Sequence, residues 1–146
     1  MTKLDNINGV QKVQFVLPHE VSAFGSDSKK VYIILNGWGW HTLPDVHSVT
    51  ITPSPVKSDS GMLYTIAGSF KIGGNLLNDS EYQLLRISRR AIFRFMLPDG
   101  GYVVAGTKQN PLVLKFSSLV SGNASDFNGI LVSFSNTQEF DILRLG

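Results

Sequence analysis

The sequence predicts an α+β domain, mainly antiparallel strands in a sandwich or rolled barrel, with one packed α-helix. Three observations predict it. Short apolar runs recur along the chain, each bounded by Gly, Pro, Asn, Asp or Ser, as strands and their turns are. Within most runs the apolar residues alternate, so one strand face is core. One segment alone, after Asn78, carries the cap and charge signals of a helix.

The elements follow in chain order. Val13, Phe15 and Leu17 alternate with Gln14 and Val16 until Pro18 stops the run. Val31–Leu35 is a short apolar strand ended by Asn36-Gly37. Val49 and Ile51 alternate with Thr50 and Thr52 before Pro53. Residues 62–71 form a longer strand, in which Gly68 marks a bulge or a close approach. Asn78-Asp79-Ser80 supplies N-cap oxygens, and Asp79 and Glu81 place negative charge in a first helical turn. Arg86, Arg89 and Arg90 sit at the far end, where the helix dipole favours cations. The helix is therefore placed from Asp79 to about Arg89, with Leu84, Ile87 and Ala91 on its buried stripe. Tyr82, Arg86, Arg89 and Arg90 fall on the opposite stripe.

A strand from Ala91 to Leu97 puts Phe93, Phe95 and Leu97 on one face. Pro98-Asp99-Gly100-Gly101 turns the chain, and residues 102–107 return as a hairpin. Asn110-Pro111 forces an extended start to the next strand, where Leu112, Leu114 and Phe116 share a face. A Ser/Gly/Asn loop over residues 117–128 precedes a strand with Ile130, Val132 and Phe134 aligned. Phe140, Ile142 and Leu145 form the last strand.

Composition bounds the function. The chain has 146 residues, 42% hydrophobic and 16% charged, with a net charge of +2 and no cysteine. One domain spans residues 1–146, with no shift of composition to divide it. Absence of cysteine excludes thiolate metal sites, a cysteine nucleophile and disulfides. The near balance of charge lacks the dense basic stripe of a nucleic-acid binder. No run approaches the roughly 18 apolar residues that would span a membrane, and no apolar segment after Lys3 reads as a signal peptide. A weakly charged, Ser/Asn-rich surface suits a subunit buried in an assembly.

No motif carries a reaction, so the expectation is a protein that is not an enzyme and needs no cofactor. His41, Asp45 and His47 are metal-ligand types, but their spacing matches no ligand geometry such as HExxH, and they read as a polar loop with two solvated histidines. Neither a GxSxG elbow nor a phosphate loop occurs. Trp38 and Trp40 alternate with Gly37 and Gly39. Their rings either plug one end of the core or form a partner contact, since Trp is enriched at binding hot spots. The Tyr82/Arg86/Arg89/Arg90 stripe is either a solvated face that offsets the helix dipole or a contact with an anionic partner. Candidate interface residues are therefore Trp38, Trp40, Tyr82, Arg86 and Arg90.

From the helix onward the order of signals is a capped helix, RRAIFRFMLPDGG, YVVAGT, NPLVLKF and, after a polar loop, FNGILVSFS. This second half resembles small β-rich virion proteins of tailed phages and prophages, those of the tail and head–tail junction, crAss-like phages of gut bacteria among them. The resemblance rests on Gly106-Thr107, Asn110-Pro111-Leu112 and Phe127-Asn128-Gly129. It implies a structural subunit of a phage tail or head–tail connector. Such a subunit forms a homo-oligomeric ring or tube, is assembled in the host cytoplasm, and contacts copies of itself and other virion proteins. A carbohydrate- or surface-binding β module using the Trp38/Trp40 loop is the alternative.

Overall fold

The computed structural model describes residues 10, 12–26, 30–37, 39–43, 46–58, 61–73, 80–119, 129–139 and 143–145. The strands are β1 (Lys12–Val16), β2 (Val21–Ser26), β3 (Lys30–Leu35), β4 (His41–Leu43), β5 (Val46–Ser58), β6 (Gly61–Gly73), β7 (Arg90–Met96), β8 (Tyr102–Ala105), β9 (Leu112–Leu119), β10 (Gly129–Gln138) and β11 (Leu143–Leu145). A 3-10 turn covers Pro18–Glu20, and the helix α1 covers Ser80–Ser88. The fold is mainly antiparallel β with a single helix among the described residues, as the sequence predicts.

Two sheets share β7. The first runs β4–β1–β7–β8–β11–β3–β2, with β11 and β3 parallel and every other pair antiparallel. The second runs β9–β10–β6–β5 and joins the start of β7, where Arg90 and Ala91 pair with Val113 and Leu112. Alternation along β7 then divides the interior. Phe93 and Phe95 face the second sheet and meet Phe70 and Phe134, with ring centroids 5.6–6.0 Å apart. Ile92, on the other face of β7, belongs to a smaller cluster with Val16, Val21, Val31 and Val104. Phe24, Ile33, Leu35 and Trp40 pack against that cluster. The β2–β3 end of the first sheet therefore curls over the face of β7 and β8 that points away from the main core. This follows from burial of apolar residues on both strand faces.

The Gly68 expectation is met as a close approach. A Cβ there would meet the Thr50 carbonyl oxygen and lie 2.7 Å from Cζ of Phe134. Opposite it, β5 carries an irregularity between His47 and Thr50, with Ser48 at φ 54. Gly106 also has positive φ, at 93, and its N–H donates to Oε1 of buried Gln138. Thr107 N–H donates to the Asn110 carbonyl, and Asn110 N–H donates back to Thr107 Oγ1. The Gly106-Thr107 and Asn110-Pro111 signals thus build one turn.

Several expectations are corrected. The helix turns a different face to the core: Tyr82 is 1% exposed and Leu85 fully buried, whereas Ile87 is 78% exposed. Leu84 is partly buried against the core, and Ala91 lies in β7. Tyr82 packs edge-on against Phe116 at 6.1 Å, so its aromatic body outweighs its hydroxyl in choosing a side. α1 ends where Arg89 adopts φ 57 and its N–H donates to the Leu85 carbonyl, a left-handed cap made without glycine. Segments read as loop prove extended: β4 takes in His41, and β9 reaches Leu119. The expected last strand is seen as Leu143–Leu145, while Phe140 and Ile142 lie outside the described residues.

Candidate functional site

The most concentrated polar chemistry lies where the 3-10 turn, β4 and the start of α1 meet. Pro18 fixes the first turn position, and Glu20 N–H donates to the Leu17 carbonyl. The Glu20 carboxylate reaches back to accept the Leu17 N–H at 2.9 Å. Asn36 pins this turn by donating its backbone N–H to the Glu20 carbonyl and its side-chain N–H to the His19 carbonyl. β4 pairs antiparallel to β1, placing His41 opposite Phe15, and the two rings lie 5.0 Å apart.

His41 Nε2 is then 2.9 Å from Glu20 Oε2 and 3.0 Å from Oε1. Its other nitrogen, Nδ1, is 2.6 Å from Glu81 Oε2 in the first turn of α1. That Glu81 oxygen is buried and has no aligned hydrogen bond, so the second contact is chiefly electrostatic. The ring can donate from both nitrogens only when doubly protonated. The Glu20 carboxyl is subject to opposed effects. Burial pushes it up, but the Leu17 N–H and the His41 bond and charge leave it below the usual glutamate value.

The His41 ring joins three separate chain segments through its two carboxylate contacts. The arrangement is not built for a metal: the two carboxylates approach opposite nitrogens of one ring. Among the described residues no cluster of three or more His, Cys, Asp or Glu side chains could hold an ion. Glu20, Glu81, His41, Trp40, Thr42 and Gly39 line an open depression. A second, narrower cleft of about 260 Å³ runs between β2 and residues 107–110. Lys108 and Glu139 are its charged side chains.

The sequence-derived candidates separate. Trp38 lies outside the described residues. Trp40 is half-buried, packs against the smaller cluster, and its ring centroid is 4.5 Å from Cζ of Arg94. Tyr82 is corrected from interface to core. Arg86 and Arg90 are exposed, one at the end of α1 and one at the start of β7. The pair of solvated histidines is also corrected: His41 is partly buried between carboxylates, whereas His47 is exposed on β5. Sequence reasoning missed Glu20 and Glu81 as partners of His41, because they lie on distant segments. It also missed Arg94, whose alternation with Phe93 and Phe95 was the available signal. No helix among the described residues is long and apolar enough to cross a membrane. No family model, curated protein or solved structure matches the chain.

Proposed function

We propose that the chain is a structural subunit that assembles with copies of itself, as in a ring or tube of a phage tail or head–tail connector. The observation that carries this reading is a pair of exposed large apolar side chains at the end of the first sheet. Tyr32 is 48% and Ile34 62% exposed on the outer face of β3. Their partners across the ladder on β2 are Gly25 and Ala23, too small to cover them. β2 is the terminal strand of that sheet, so backbone pairing groups lie beside this pair. Exposed Ile87 between Arg86 and Arg90 offers a second contact, suited to an acidic neighbour. The tail or connector assignment draws on the resemblance of the second half of the chain.

Glycan binding through Trp40 is the weaker reading. The ring is packed on the smaller cluster and faces Arg94, leaving little ring face for a sugar. Native mass spectrometry over a concentration series tests the proposal. Discrete oligomers are expected, and Tyr32→Ser with Ile34→Ser should dissociate them while far-UV circular dichroism is unchanged. A monomer at all concentrations, or oligomers untouched by the double substitution, refutes this interface.

A further inference from the structure

We propose that the free edge of the Arg94 guanidinium is a binding site for a carboxylate group. Arg94 stands in register with Gln14 of β1 and Val104 of β8. Its Nε donates to Gln14 Oε1 at 2.6 Å, and Gln14 Nε2 donates in turn to Thr42 Oγ1 at 2.8 Å. The chain of bonds crosses β7, β1 and β4 and fixes which way the Gln14 amide points. Cζ of Arg94 lies 4.5 Å from the Trp40 ring centroid and 4.1 Å from that of Tyr102. Two rings therefore pack against the guanidinium, and Gln14 takes its Nε.

The two Nη atoms remain. Among the described residues they make no hydrogen bond or ion pair, and neither is fully enclosed. Glu20 and Glu81 are held by His41, whose ring packs on Phe15 of the main core, whereas Trp40 packs on the smaller cluster. Burial holds Arg94 below the usual arginine value, yet the group stays cationic. A partly dehydrated cation held by two rings and one amide has little freedom left to lose on binding. The Nη edge is the part of the group with no partner among the described residues, and at such an edge a carboxylate makes two parallel N–H···O bonds. A planar carboxylate places both its oxygens on that edge, whereas a tetrahedral phosphate must also place further oxygens beside the rings. An acidic side chain of a partner protein and a small carboxylic acid share this chemistry.

The test is an NMR titration of the full chain, following Arg94 Nε–Hε and the Trp40 indole N–H. The probes are acetate, succinate, an Asp/Glu-rich peptide, phosphate and chloride, at matched pH and ionic strength. Saturable shifts are expected with the carboxylates. Arg94→Lys, which keeps the charge but loses the fork, should weaken them at least tenfold. Tyr102→Leu should weaken them several-fold with Arg94 in place, which serves if Arg94→Lys perturbs the fold. Peptide binding much tighter than acetate identifies a protein partner as the source, and equal affinity identifies a small acid. Chloride or phosphate producing the same shifts, or carboxylate binding that survives Arg94→Lys, overturns the proposal.

Discussion

His41→Phe isolates the charge contacts at the junction of the 3-10 turn, β4 and α1. It keeps a ring against Phe15 and removes both polar contacts. Glu20 retains the Leu17 N–H but loses Nε2. Glu81 loses the imidazole beside its buried oxygen. A hydrogen bond to a charged group contributes about 1.5–3 kcal/mol. The Glu81 contact is out of hydrogen-bonding line and its side chain is 35% exposed, so screening limits it to about 0.2–1 kcal/mol. The expected loss is about 2–4 kcal/mol at neutral pH, read from urea unfolding. A double-mutant cycle with Glu20→Gln and Glu81→Gln should give the larger coupling for Glu20. Hydrogen exchange of residues 80–88 should quicken, because Glu81 ties the helix to β4. The pH dependence has a definite sign. The folded Glu20 carboxyl lies below its ordinary value of 4.5. Its contribution is present above that value and lost as pH falls through the lower folded value. A loss below about 0.5 kcal/mol, against the range expected for such bonds, would refute the argument. So would a larger coupling to Glu81 than to Glu20.

Two further outcomes test the packing. Leu85→Ala should cost about 2–5 kcal/mol, and Ile87→Ala within about 0.5 kcal/mol of zero, measured by thermal unfolding; the reverse order would restore the sequence-derived helix face. Gly68→Ala should cost about 1–3 kcal/mol by overpacking, because the new Cβ collides with the Thr50 carbonyl and the Phe134 ring. An unchanged melting temperature would show that the β5 bulge can move aside.

The strands that build the main core were legible because alternation reports one buried face. Phe93, Phe95, Leu112, Leu114, Val132 and Phe134 are buried as that pattern requires. β2 was not legible: in Val21–Ser26 only Val21 is buried, and the pairing slips between Val21 and Ala23. β4 is three residues long and follows a Gly-Trp segment, so no period could show. The helix face was misread because Tyr was grouped with Arg. The pair Tyr82 and Leu85, three apart, carries the buried stripe. The charged junction was illegible for another reason. It depends on which segments meet, and nothing local to His41 encodes Glu20 or Glu81.

The two sheet ends differ in a way that bears on assembly. β5 closes the second sheet and is thirteen residues long, long enough to template another strand. It carries Pro53, Pro55 and Lys57, and prolines and lysines are the usual means of blunting an exposed edge. β2 closes the first sheet at one end and carries neither residue type in Val21–Ser26. Two sheet edges unpaired among the described residues, of opposite character, argue against general stickiness and for one chosen edge. The exposed Tyr32 and Ile34 stand next to the unblunted edge. In a copy-to-copy contact there, backbone pairing would set register while the apolar pair supplied buried area. Exposed Val56, on blunted β5, lacks that combination. Under the proposed self-assembly, the contrast favours β2 and β3 over the β5–β6 hairpin as the side at which a neighbouring copy would be met.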